Sequence, residues 1–303
     1  MAGKLEEYLT QELGRTGYPL EIEISSMFDE SYLVSNNEYF FDWDENEPRE
    51  IDISAFAFPS IENKHGGAKI NPFSLSHRLV IECKKSDTHA WIFLTRPEKK
   101  FWAEGQSMDF LRLGTRNAGL SFLDEILETC KSRLHYQHFK RVASTYAEIK
   151  YAGRNGKSRG RKSGKSEIFE AKNQLVKYVA YDIAQLLKRL TGIGFNPMKN
   201  HLISLYYPTI VFDGKLYEAI VRNGFPKLYK RRHLLLSTKY SPPYIKDFPE
   251  TESPELEYLI DVVRKDFFPD FLQILQNDYS VLWKSIYDNL EELKKEAKDY
   301  LRV

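Results

Sequence analysis

At 303 residues the chain can bury a sizeable core in one large or two modest domains. With 42% hydrophobic and 29% charged residues it has the make-up of a globular protein, which excludes a disordered or fibrous chain. Its 44 basic and 43 acidic residues nearly cancel, so bulk charge lends no support to nucleic-acid binding. There is no run of about 18 apolar residues, and hence no expected membrane span. The opening MAGKLEEYLTQEL is amphipathic and acidic, unlike a signal peptide. Cys83 and Cys130 lack CxxC spacing, which argues against a disulfide scaffold or zinc cluster and for a reducing cytoplasm.

In chain order, Leu5, Leu9 and Leu13 recur every fourth residue and predict a helix over 4–14, ended by Gly14, Gly17 and Pro19. PLEIEISSMF alternates Leu20, Ile22 and Ile24 with Glu21 and Glu23, the pattern of a half-buried strand. EYFFDWDENEPREIDISAFAFPS holds two β-type runs about the acidic turn Asp42 to Pro48 and reads as a hairpin. Residues 61–76, with Gly66, Gly67 and Pro72, read as a loop. HRLVIECKK is a strand with Leu79, Ile81 and Cys83 on one face and Val80, Glu82 and Lys84 on the other, and WIFLTRP is a further apolar run. Residues 119–149 read as mostly helical through Leu120, Leu123, Leu127 and Leu134. A Gly/Ser-rich basic segment follows, then a long helix opened by Ser166 as its cap. HLISLYYPTIVF, KLYEAIV and HLLLSTKY are three strand candidates around a turn at Asp213-Gly214. From Pro254 the spacing of Leu256, Ile260, Val263 and Phe267, then of Leu282, Ile286, Leu290, Leu293 and Ala297, predicts two helices. This order describes an α/β layer on a mixed sheet, with the last ~50 residues as a helical appendage.

The chemistry is concentrated in two strands. Asp52 lies in REIDISAF, and Glu82 and Lys84 lie two apart in HRLVIECKK, so the last two share a face while Cys83 points the opposite way. A carboxylate and an ammonium among such apolar neighbours are costly to bury unless paired or bound to metal. Hydrolysis of a phosphodiester asks for this set: carboxylates for a hard divalent cation, and a positive group beside the attacking water.

The succession helix, strand, strand with Asp52, strand with Glu82-Cys83-Lys84, then helix resembles the PD-(D/E)XK nuclease superfamily, which includes restriction endonucleases and archaeal Holliday-junction resolvases. The first-helix acidic residue of such nucleases often lies about ten positions before a Gly-aromatic pair. Glu6 and Glu7 stand so before Gly17-Tyr18, with Glu6 favoured, and Gln174 with Tyr178 matches a supporting Gln-x-x-x-Tyr element of the later helix. The sequence departs from the pattern at Ile51, where proline commonly precedes the aspartate, and in the 30 positions separating Asp52 from Glu82. The resemblance covers roughly residues 4–212. It implies a restriction-endonuclease-like mixed central sheet flanked by helices, placed over 1–245. The basic flexible loop at about 150–166 and the C-terminal helical extension over 246–303 are read from the sequence pattern, the extension lying outside the resemblance. The resemblance further implies a Mg²⁺- or Mn²⁺-dependent endonuclease, a hydrolase of phosphodiester bonds in DNA acting in restriction or phage defence. Asp52, Glu82 and the Cys83 carbonyl would hold the metal, and Lys84 would polarise the water. Members often work as homodimers, and here the C-terminal helices would supply the interface. The rival reading is a non-catalytic module that binds nucleic acid or protein on the same fold.

Between Lys150 and Lys165 there are seven basic residues and no acidic one. Arg154, Lys157, Arg159, Arg161, Lys162 and Lys165 are thus either a solvated loop or a clamp on the phosphate backbone. A second basic cluster, Lys227, Lys230, Arg231 and Arg232, precedes an apolar strand. GKS occurs at Gly156 and Gly164, but the glycine that a phosphate-binding loop needs five positions earlier is replaced by Tyr151 and Arg159. His135 and His138 stand three apart without an evident carboxylate or cysteine partner and read as surface histidines. The aromatics from Tyr39 to Trp43 and at Tyr206-Tyr207 read as core packing.

Overall fold

A computed structural model describes residues 2–14, 16–57, 73–95, 125, 129–130, 133–151, 166–192, 201–241, 256–293 and 295. Two helices, α1 (Ala2–Leu13) and α2 (Tyr18–Ser25), precede a meander of three antiparallel strands, β1 (Leu33–Asp42), β2 (Glu47–Ala57) and β3 (Phe73–Thr95). Strand β4 (Ala143–Lys150) pairs with the far half of β3. Helix α3 (Glu167–Gly192) then carries the chain over to β5 (His201–Arg222), which runs parallel to β3 from Phe73–His201 to Thr95–Ile220. Strands β6 (Phe225–Lys230), β7 (His233–Tyr240) and β8 (Leu256–Arg264) complete an eight-stranded mixed sheet, and α4 (Phe268–Asp288) follows.

Helices cover both faces. On one, Ile168, Ala171, Leu175 and Val179 of α3 pack on Val80, Ile210, Phe212 and Val262; Trp91 stacks on Phe212 at 3.9 Å. On the other, Leu20 and Ile24 of α2 and Phe268, Phe271 and Leu275 of α4 pack on Ile53, Leu79, Ile81, Cys83 and Val211. Ser166 caps α3 as its sequence position suggests: its Oγ accepts from Phe169 N at 3.3 Å, and Glu148 accepts from Ile168 N at 2.9 Å. Arg78 and the Tyr206 hydroxyl both donate to Asp182 of α3, at 2.6 and 2.8 Å, locking the helix to β3 and β5. A buried carboxylate ties the ends of four segments together. Glu218 accepts from Thr95, Arg141 and Arg231, and these donors hold its pKa down at about 2 against the pull of burial.

The hairpin about Asp42–Pro48, the strand bearing Glu82 and the long helix after Ser166 are where the sequence places them. Five readings are corrected. Residues 18–25 form a helix, because Pro19 starts it and the apolar residues that matter, Leu20 and Ile24, lie four apart; Ile22, which completes the apparent alternation, is 62% exposed. Residues 143–150, expected to continue a helix, are a strand held by β3 from His89–Lys150 to Thr95–Ala143. Strand β3 starts at Phe73, inside the expected loop, and β5 passes straight through Asp213-Gly214 with a register shift. The Phe212 ring lies over Gly214 where a Cβ would stand, and the reversal comes instead at Asn223-Gly224, with φ of 52° and 80°. Residues 256–264 form a strand, not a helix, and the boundary at 245/246 falls with it: β8 is inserted between β7 and β5. A strand covered on both faces is largely apolar, so Tyr258 to Val263, Asp261 apart, show no alternation and chance 3–4 spacings imitate a helix. The helical reading is met by α4, whose Leu282 and Ile286 are buried. Among the described residues no helix is long and apolar enough to cross a membrane.

Candidate functional site

The β2–β3 ladder runs from Ala57–His77 to Ile53–Ile81 and stops there, one residue short of Asp52 and Glu82. Where the strands part, the Asp52 side chain takes over the ladder's work: its Oδ2 accepts from Cys83 N at 2.6 Å. Glu82 follows in the row next to Ile81 and is fully buried, with Oε2 bonded to Lys84 Nζ at 2.6 Å. Lys84 Nζ is 4.0 Å from Asp52 Oδ2, so one ammonium serves both carboxylates. The alternation expected of β3 holds, with the Cys83 side chain in the opposite core.

A third carboxylate joins them from α2. Glu21 is 7% exposed; it feels the charge of Asp52, and its own charge is felt at Glu82. The amide of Asn37, oriented with its nitrogen toward the two acids, donates to Glu21 Oε2 at 3.2 Å and to Glu50 Oε1 at 2.9 Å. Asn37 sits opposite Asp52 in a left-handed conformation, φ 55°, where the β1–β2 register skips it. Such backbone strain persists where surrounding structure fixes it and gathers at functional sites. Gly17 leaves room for Glu21: a Cβ there would stand 2.9 Å from Oε1. Gln174 of α3 reaches across to donate to the Glu50 carbonyl, while Tyr178 lies deeper and bonds Ser54 Oγ at 3.1 Å.

The electrostatics follow from this crowding. Burial pushes the Glu82 carboxyl up to about 8, despite Lys84 and with Asp52 adding to the rise. Burial and the neighbouring Asp52 push Glu21 up to about 7, and burial raises Asp52 against the pull of Lys84 and the Cys83 N–H. Burial alone would lower Lys84, but Glu82 and Asp52 outweigh it and hold the ammonium protonated. Three carboxylates therefore face one ammonium in a water-poor corner, an excess that protons or a cation must neutralise. One atom of the set has no partner, Glu82 Oε1, and it is buried. Beside the cluster opens a cleft of about 560 Å³ lined by Tyr18, Glu21, Tyr39, Arg49, Asp52 and Gln174.

A comparison with protein-family models, curated proteins and solved structures finds no match, so the reading of this site rests on its own geometry.

Asp52, Glu82, Lys84 and Gln174 are thus brought together as the sequence predicts. Glu6 is not among them. It is exposed on α1, whose Leu5, Leu9 and Leu13 are also exposed, and the helix next to the site is α2, with Glu21. Sequence reasoning missed Glu21 because it took α2 for a strand and Glu21 for its wet face; the signal that could have found it is Pro19 as a helix start. Arg154, Lys157, Arg159, Arg161, Lys162 and Lys165 lie outside the described residues. Tyr39, expected in the core, is 70% exposed at the cleft, whereas Phe40 is buried. A separate buried group on the other side of the sheet, His135, His233 and Asp261, could hold a metal ion, its ligand atoms lying within 4.8 Å of one another. The reading of His135 as a surface residue is corrected accordingly.

Proposed function

We propose that this chain is a divalent-cation-dependent nuclease, hydrolysing phosphodiester bonds in DNA at the cluster of Asp52, Glu82, Lys84 and Glu21. The observation that carries the reading is Glu82 Oε1, a buried carboxylate oxygen without a partner, set beside Asp52 where β2 and β3 part. Oxygen donors of this kind suit Mg²⁺ or Mn²⁺, and one divalent cation would neutralise the excess of carboxylate over ammonium. Asp52 and Glu82 would hold it, with Glu21 nearby to anchor its water shell and the Cys83 carbonyl as a further oxygen donor. Bound there, the cation would supply Lewis acidity toward a phosphoryl oxygen and acidify a water.

The remaining work falls to the chain. Lys84, protonated and 24% exposed, presents its ammonium toward charge that develops on the phosphoryl oxygens, in surroundings where one positive group counts for more than in water. Asp52, fixed by Cys83 N–H, sets a second carboxylate 4.0 Å from the Lys84 ammonium, which bonds Glu82 at 2.6 Å. Gln174 and Asn37 hold the Glu50 segment and so the angle at which Asp52 leaves β2. Tyr18 and Tyr39 expose their rings at the cleft, where bases can stack without regard to sequence. The order α2, β1, β2, β3, β4, α3, β5, in which antiparallel strands are followed by a helical crossover to a strand parallel to β3, supports a restriction-endonuclease-like arrangement and with it a role in restriction or phage defence.

The test is cleavage of supercoiled, linear and single-stranded DNA, with RNA in parallel, in Mg²⁺ or Mn²⁺. Asp52→Ala and Lys84→Ala are each expected to lower the rate by at least about 10²–10³-fold. Cleavage of similar rate in both variants would overturn the assignment.

A further inference from the structure

The face of the sheet opposite Glu82 carries a second constellation. Ile81, Thr209 and Asp261 form one row across β3, β5 and β8, and Glu82, Ile210 and Val262 form the next, so Asp261 and Glu82 emerge on opposite faces two strands apart. Asp261 is fully buried. Its Oδ1 is met by His233 Nε2 at 2.7 Å and by His135 Nε2 at 3.2 Å, while its Oδ2 has no partner. On its other side His135 is held by Asp278 of α4: Nδ1 lies 2.5 Å from Asp278 Oδ2, and the backbone N donates to Oδ1 at 3.0 Å.

Hydrogen bonds alone account for this arrangement poorly. Both imidazoles would aim an N–H at one oxygen and leave the twin oxygen bare in the core, its lost hydration unreplaced. With a cation among the three atoms each group has a use. His135 donates Nδ1–H to Asp278 and turns the lone pair of Nε2 inward, the carboxylate–imidazole pairing that orients a metal-bound histidine. His233 Nε2 and an Asp261 oxygen complete three ligands. Tetrahedral ligands at about 2.0–2.1 Å lie about 3.3 Å from one another, close to the present 3.2 Å between His135 Nε2 and Asp261 Oδ1, and the His233 contact needs to open by only about half an ångström. A cavity of about 560 Å³ lies against His135 and His233, bordered by Arg133, His138 and Asn277, and gives a fourth ligand a way in.

We propose that His135, His233 and Asp261 form a zinc-type site, with Asp278 positioning His135 and the fourth position open to the cavity for water or a small anionic ligand. Two imidazoles and one carboxylate suit Zn²⁺, whereas the all-oxygen set on the other face suits Mg²⁺ or Mn²⁺. The ion would join the segment before β4 to β7 and β8. The site is independent of the nuclease reading and stands if that reading fails.

The test uses the full chain carrying Glu82→Gln, stripped with a chelator, so that the other cluster does not compete. Titration with Zn²⁺ against a chromophoric chelator is expected to show one equivalent bound at micromolar affinity or tighter. Asp261→Asn and His233→Gln should each weaken it at least about 100-fold, and Asp278→Asn by about 10–100-fold. Co²⁺ in place of zinc should give visible d–d absorption, a readout that needs no variant at the site and so survives if these substitutions prevent folding. No stoichiometric zinc together with no cobalt spectrum would overturn the proposal, as would zinc binding unchanged in Asp261→Asn and His233→Gln.

Discussion

Glu82→Gln is expected to abolish divalent-cation-dependent cleavage, by about 10³-fold or more, while making the metal-free protein more stable. The two effects have one cause. Glu82 is fully buried with one oxygen unpartnered, and its pKa stands at about 8 against an ordinary 4.5. The folded state therefore binds a proton that the unfolded chain has released, and the wild type loses stability as pH rises from about 4.5 to about 8. Each tenfold change in proton affinity is worth about 1.4 kcal/mol, so the loss over this range is on the order of a few kcal/mol. A glutamine has no proton to give up. The melting temperature of the variant should thus exceed that of the wild type by more at pH 8.5 than at pH 5.5, in chelator, by several degrees. Adding Mn²⁺ should narrow the gap by stabilising the wild type alone, because the cation takes the place of the proton. A variant that is less stable at pH 8.5 and still cleaves would contradict both halves.

The second large effect separates two glutamates. Glu21→Gln is expected to weaken Mn²⁺ binding by about 10–100-fold and to slow cleavage accordingly, with Glu6→Gln indistinguishable from the wild type. Glu21 is enclosed by Gly17 and Asn37 and interacts electrically with Asp52 and Glu82, whereas Glu6 is exposed on α1. Isothermal titration with Mn²⁺ distinguishes them directly. Equal effects of the two substitutions would show that Glu21 is buried for structural reasons only.

The contrast shows what a sequence discloses here. Asp52, Glu82 and Lys84 were legible because the constraint is local: period two in β3 fixes which side chains share a face, and charges within an apolar run stand out. Gln174 was picked out by the resemblance, through its Gln-x-x-x-Tyr element on the later helix. Glu21 was hidden because Leu20, Ile22 and Ile24 together fit period two, while the helical pair Leu20 and Ile24 emerges only once the fold shows that Ile22 faces water. Strand β8 was hidden for the opposite reason, being buried on both faces, and with it the insertion of residues 256–264 into the sheet. The histidine–aspartate group was beyond any local pattern. Its members come from the segment before β4 and from β7 and β8, with Asp278 added from α4, and only sheet order brings them together.

The central claim is that Asp52 and Glu82 are a cation site and not a buried salt bridge. Crystals soaked in millimolar Mn²⁺ and measured at an energy where manganese scatters anomalously test it most directly. An anomalous peak within coordination distance of Asp52 and of Glu82 Oε1, absent in Glu82→Gln, is the predicted result. A wild-type cluster without manganese, with Lys84 still bonded to Glu82 and Asp52 still bonded to Cys83 N–H, would contradict the account.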